Sequence, residues 1–378
     1  MWNRSGPGPA PGPDTKGEGM ADLTLPRAQR GLIQWPRTLG VWGALALALV
    51  TAFALSLMLG SVRIPLDDVV RVLLGGEAQR AAWTDIIWLF RVPKAITAVL
   101  AGAALAASGL QLQTLFRNPL ADPYILGVSS GASLGVAIVI LGGGSAGGAL
   151  LVSQGLGVFG ELSLAIAASL GAGLVLGVVL LLMRWTRNML ALLILGLMLG
   201  YLTSALVSLL VYTSQPERIQ AFSLWSAGSF SGVTWSQLGA FAPTVLLALG
   251  VALFLPKTLN ALLLGEAYAR SLGVNVRLAR LAVIVSASLL AGATTAFCGP
   301  VGFIGVAVPH VTRALLGTSD HRQVVPATLA FGALLALVAD LIAQVPGSQA
   351  ILPLNTVTAL FGVPVVAWVL LRNQSPAA

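Results

Sequence analysis

Ten stretches of this 378-residue chain are apolar for about the length of a bilayer crossing, and that repetition narrows the fold more than any single motif. A helix rises about 1.5 Å per residue, so a hydrocarbon layer of about 30 Å takes about 20 mostly apolar residues. The stretches lie near residues 39–60, 92–114, 124–142, 161–183 and 188–212, and again near 237–256, 278–298, 302–316, 323–345 and 354–371. In lipid every backbone N–H and C=O needs a partner within the protein, which selects helices over open sheet. The expected fold is all-α, a polytopic membrane protein of about ten transmembrane helices.

Composition agrees. Charged residues make up 9% of the chain, against about 25% in ordinary soluble domains, and 57% is hydrophobic before its 43 glycines are counted. So few charges cannot cover the surface of a soluble globule. The single Cys298 excludes a disulfide scaffold and any multi-cysteine metal site. Residues 1–38 hold a Gly-Pro-Ala tract and a polar stretch without apolar period, and are expected to form a disordered cytoplasmic tail. The transmembrane domain is expected over 39–372, with a short cytoplasmic tail at 373–378. The first apolar run begins near Leu39 at span length, so no cleavable signal peptide is expected.

A net charge of +8 suggests nucleic acid until topology is considered. With ten spans both termini share a side. Placing them in the cytoplasm leaves six of the 21 Lys and Arg outside: Arg63, Arg71, Arg80, Arg91, Lys94 and Arg218. The other fifteen lie inside, as the positive-inside rule requires, and nucleic-acid binding loses its support. Trp35, Trp42, Trp88, Trp185, Trp235 and Trp368 fall near span ends, as interfacial anchors do.

Chemical equipment is sparse. Asp340 is the one acid well inside a span, and Gln344 one turn later can share its hydrogen bonds; the pair reads either as a tie between helices or as part of a gate. No catalytic group and no metal site is expected: His310 and His321 have no Cys or carboxylate arranged to complete a site. The three lysines follow Thr15, Pro93 and Pro256, so no Gly-Lys-Ser/Thr phosphate loop exists and nucleotide energy has to come from another subunit.

Glycines recur at four-residue spacing at Gly127, Gly131 and Gly135, at Gly173 and Gly177, and at Gly196 and Gly200, which predicts close helix packing. Two segments read as broken helix. One is Phe116-Arg117-Asn118-Pro119-Leu120-Ala121-Asp122-Pro123, where two X-Pro steps disfavour helical geometry; the other is Cys298-Gly299-Pro300-Val301-Gly302-Phe303-Ile304-Gly305. Non-helical backbone at membrane depth survives only where protein or water satisfies it. The longest inner loop, 257–280, contains Gly265, Glu266, Ala267, Arg270, Leu272, Gly273 and Val274. Glu266 and Arg270 sit i,i+4 in the favourable order for a short helix, and Gly273 suits its end. Such a helix either lies on the bilayer or docks a protein.

These segments in this order resemble the iron-chelate and cobalamin permease family of bacterial ABC importers. The match covers roughly 40–372 and includes Arg91-Val92-Pro93-Lys94, Gly127-Val128-Ser129-Ser130-Gly131, Val308-Pro309-His310, Ser319-Asp320-His321-Arg322 and Ala339-Asp340. The resemblance implies two ten-helix subunits, homodimer or sister permease, around a central channel in the bacterial cytoplasmic membrane. It implies two ATP-binding-cassette subunits that hold ATP and Mg, no cofactor on this chain, and a periplasmic substrate-binding protein. By the same resemblance, 265–274 couples to the ATPases, and Arg91 and Lys94 face acids of the binding protein. Lys94 replaces the family's usual Arg, and a third family arginine falls at Gln344. Leu224 to Phe230, with Trp225, Ser226, Gly228 and Phe230, resembles the outer gate, and Arg187-Asn188-Met189 the inner neck. The expected cargo is an iron–siderophore, with haem or cobalamin as the alternative. A stand-alone secondary transporter is disfavoured by the dearth of intramembrane ionisable groups, and a membrane enzyme by the missing constellation.

Overall fold

The computed structural model describes residues 27–142, 158–186, 188–344 and 352–373. The chain divides after Gly40 into a short N-terminal unit and a main unit, Val41–Ala378. The helices are α1 (Arg27–Met58), α2 (Leu66–Leu73), α3 (Ala81–Asp85), α4 (Val92–Phe116), α5 (Val128–Ile140), α6 (Val158–Trp185), α7 (Met189–Tyr212) and α8 (Pro216–Ser226). They continue as α9 (Trp235–Phe254), α10 (Pro256–Leu263), α11 (Glu266–Ser271), α12 (Val276–Cys298), α13 (Ile304–Leu316), α14 (His321–Ala343) and α15 (Leu354–Asn373). A π-helical turn, Ile86–Arg91, leads into α4, and a 3-10 turn, Pro123–Leu126, into α5. No strand occurs among the described residues.

Among the described residues seven helical stretches are long and apolar enough to cross a membrane, and three shorter apolar helices, Val128–Ile140, Ile304–Leu316 and Leu354–Ala367, bring the set to ten. The short ones fall where the sequence is broken by proline or glycine. The amphipathic α2, the short α10 and α8 as a full helix were not marked by apolar length. Two acids, Asp67 and Asp68, in the first turn of α2 favour its positive N-terminal end.

The bundle is built around α4. Its most apolar window is 89% buried, whereas those of α6 and α7 are 22% and 17% buried, so α4 is the axis and the other two face lipid or a partner. Small residues permit this. A methyl built at Gly102 would collide with the Gly332 carbonyl of α14, and one at Gly109 with the Gly305 carbonyl of α13. The expected packing of Gly131 is also found: a methyl there would lie 2.5 Å from the Gly171 carbonyl of α6. At Gly173 and Gly177 it is not, because a methyl at either meets nothing within 4 Å. Those two face open space rather than a neighbouring helix of this chain.

Both broken segments have their backbone satisfied, partly by each other. The Tyr124 hydroxyl donates to the Val301 carbonyl at 2.6 Å and accepts from the Val301 N–H at 2.7 Å. Asn355 Oδ1 accepts from Gly302 N–H at 3.0 Å, and Ser229 N–H reaches the Cys298 carbonyl at 2.8 Å. Further down, His310 bonds the Pro119 carbonyl at 2.8 Å. Polar side chains thus replace the lost helical hydrogen bonds.

Candidate functional site

Three regions hold the residues singled out by sequence. The first is a buried polar cluster where α4 meets α14. Lys94 Nζ lies 3.0 Å from Asp340 Oδ2, with both side chains under one-tenth exposed. Gln344 Nε2 donates to the same carboxylate oxygen at 2.7 Å. One turn before Lys94, Arg91 donates to the Leu57 carbonyl at 2.5 Å and to that of Val62. Of the two cations expected to dock a partner, Arg91 and Lys94, each is only 6% exposed and bonded within its own chain. A long cation buried in a low-dielectric bundle takes an internal acid or carbonyl rather than remain unpaired. The charge balance counted Lys94 as outside; an acid in one span and a lysine at the start of another was the signal for their pairing.

The second region is the loop after α9. Glu266 opens α11 and accepts from Arg280 Nε of α12 at 2.8 Å, with Arg280 Nη2 on the same oxygen. Arg270 approaches its other oxygen at 3.7 Å but is largely exposed, which makes it the weaker contact. The helix ends in a Schellman turn: Val274 N–H bonds the Ala269 carbonyl and Gly273 N–H that of Arg270, each at 3.0 Å. Gly273 takes φ +79°, which costs a residue with Cβ about 1–2 kcal/mol. Ala269 is fully buried while Leu264, Tyr268 and Leu272 are exposed at four-residue spacing. The loop therefore presents one apolar ridge on a rigid base, with Ala267 also exposed.

His321 anchors this base from below. Its Nδ1 lies 2.8 Å from Asn260 Oδ1 of α10, and its Nε2 2.9 Å from Thr114 of α4. Asn260 Nδ2 donates to Asp320 Oδ1 at 2.6 Å, and Asp320 caps α14 by accepting from Arg322 N–H at 3.0 Å. That hydrogen bond, with the one from Asn260, holds the Asp320 carboxyl below the usual carboxylate range. The role of His321 as a brace was missed by sequence, since its partners lie far away in the chain.

The remaining residues are those of the expected neck, at the start of α7, and of the expected gate, at and beyond the end of α8. Asn188 caps α7, accepting from Leu190 N–H at 2.9 Å, and Met189 is half-buried; Arg187 lies outside the described residues. Trp225 stacks on Phe222, with ring centroids 6.1 Å apart, and Ser226 Oγ donates to the Ser223 carbonyl. Gly228, at φ +74°, sits where a methyl would come within 2.9 Å of the Pro300 carbonyl. Phe230, expected at the gate, is 1% exposed and belongs to the packed core. α7 itself exposes Leu190, Ile194, Met198, Tyr201, Leu209 and Tyr212, an apolar helix with few neighbours.

Residues 48–372 match the model of the FecCD transport family. The chain belongs to this family. It is 37% identical over 333 residues to the vitamin B12 import system permease protein of Klebsiella pneumoniae, covering 87% of this chain and 93% of that one. It is 38% identical over 307 residues to the hemin transport system permease protein of Yersinia pestis, covering 80% and 88%. Among solved structures it is similar to an inward-facing conformation assigned to a metal-chelate type ABC transporter, with TM-score 0.75 and 31% identity over 88% of this chain and 99% of that one. As a FecCD member the chain is a multi-pass membrane permease, and its relatives are transport subunits.

Proposed function

We propose that this chain is the membrane-spanning subunit of an ATP-driven importer for a metal chelate, working as half of a permease dimer. Two ATP-binding-cassette subunits, which hold the ATP and Mg, would press on the apolar ridge of Leu264, Tyr268 and Leu272. That ridge is the observation that carries the reading: a rigid turn with exposed apolar side chains, fixed to α12 by Glu266–Arg280, is suited to transmit a push. The exposed apolar flank of α7 is what a second permease would cover, leaving a weakly polar passage that need not hold cargo tightly. ATP binding would then shift an equilibrium between outward- and inward-open states.

Both termini are assigned to the cytoplasm of a bacterial inner membrane by the charge balance. On the outer side a periplasmic binding protein would meet the exposed cations Arg63, Arg71 and Arg80 rather than the internally paired Arg91 and Lys94. Iron–siderophore is the cargo that frequency within the family favours, with no residue of this chain reading it against a corrin, while relatives named for vitamin B12 and hemin support the corrin or haem reading. All three are metal chelates. The deciding experiment reconstitutes the complex and measures ATPase stimulation by the binding protein loaded with ferric siderophore, haem or cobalamin. The one that stimulates is the cargo, and no stimulation by any of them overturns the chelate reading.

A further inference from the structure

One polar cavity, of about 580 Å³, lies beside the Schellman turn and is not used by the reading above. Four arginines line it: Arg184 from the last turn of α6, Arg270 from α11, and Arg277 and Arg280 from the first turns of α12. Glu266 is the acid among its lining residues, and it is already bonded to Arg280 and approached by Arg270. The cavity thus carries a surplus of positive charge. Asn275 and Val276 also line it, so the N-terminus of the 23-residue α12 adds the positive end of its dipole. The same two helix ends carry exposed apolar side chains, Leu181 and Trp185 on α6 and Leu278 and Leu281 on α12, which places the cavity at the rim of the lipid-facing surface.

We infer that this cavity binds the phosphate headgroup of an anionic membrane lipid, whose acyl chains lie along the exposed leucines of α6 and α12. Basic pockets between transmembrane helices at a membrane face favour such headgroups, each cation near the surface contributing about fivefold in affinity. A lipid seated here touches the wall that carries Arg280, and through it the Glu266 end of the coupling turn. The inference is independent of the cargo and needs only a bilayer around the ends of α6 and α12.

The test uses the full-length protein in nanodiscs of phosphatidylcholine mixed with phosphatidylglycerol, with native mass spectrometry counting the lipids retained. The wild type is expected to keep phosphatidylglycerol over phosphatidylcholine. The double variant Arg184→Gln/Arg277→Gln is expected to lose that preference by about 25-fold. Arg63→Gln, an exposed cation from the other predicted face, is expected to leave it unchanged. Arg277→Lys alone, which keeps the charge, is expected to retain most of the preference. Equal retention of both lipids by the wild type overturns the proposal, as does a double variant that binds like the wild type. Stabilisation by inorganic phosphate in pure phosphatidylcholine, without selective lipid retention, would assign the cavity to a free anion and equally overturn the lipid.

Discussion

At the scale of single residues, Lys94 and Asp340 explain why a protein so poor in charge keeps two opposite ones inside. Each is tolerable only because of the other, and Gln344 uses part of the remaining acceptor capacity. Lys94→Met is expected to destabilise the protein by about 3–5 kcal/mol, because it leaves a buried carboxylate without its cation. Lys94→Met/Asp340→Leu should recover most of that loss; thermal unfolding in detergent checks both, and equal losses would mean the pair is not a unit. Asp340 was legible as an intramembrane acid, and Gln344 as its neighbour on the helix. The lysine was not, since a residue after proline at the start of a span reads equally well as the last group in water. Phe230 was placed at the gate by motif likeness alone, and its packed surroundings depend on contacts that the sequence does not display.

At the scale of elements, the turn between α11 and α12 has two properties that can be separated. Gly273→Val should strain the turn by about 1–2 kcal/mol, little for a bundle of this size, yet detach ATP hydrolysis from uptake. Proteoliposomes that hydrolyse ATP and import at the wild-type ratio would refute this. The cap of α14 offers a pH test. Asp320 holds its proton less readily in the folded chain than in the unfolded one, so its contribution is complete above about pH 3.9 and fades as pH falls through its depressed native value. Asp320→Asn keeps the cap but not the charge, so its unfolding midpoint should fall less steeply than wild type as pH drops below about 4. Parallel curves would count against the cap as a source of acid sensitivity. Elements of this kind were half visible beforehand. Glu266, Arg270 and Gly273 gave away α11 by spacing, but α2 and α10 are too short for apolar length to mark. Gly173 and Gly177 had the right spacing and the wrong surroundings, because spacing says which face is small and not what lies opposite.

At the scale of the whole molecule, ten apolar helices were readable because lipid leaves so few alternatives for a long apolar run. Their arrangement around α4 was not, since contacts such as Gly102 with Gly332 join distant parts of the chain and Gly102 has no spaced partner to announce it. The arrangement redirects the docking prediction. Arg63→Glu/Arg80→Glu should weaken association with the binding protein most at low salt, where exposed charges are least screened. Lys94→Glu should instead lower the unfolding temperature with no added salt dependence in docking. Binding measurements across a salt series distinguish them, and salt-sensitive loss confined to the Lys94 variant would assign docking to Arg91 and Lys94.

The hydroxyl of Tyr124 gives to the carbonyl of Val301 and receives from its N–H, so it bonds the two successive peptide groups that flank one distant residue. It is a rivet that joins two pieces of irregular backbone directly to each other. A change of state that reshapes either piece must carry the other or break two bonds at once. The two halves therefore keep time together: a spectroscopic reporter beside either break would record the same transition at the same rate, and in Tyr124→Phe the two clocks would part.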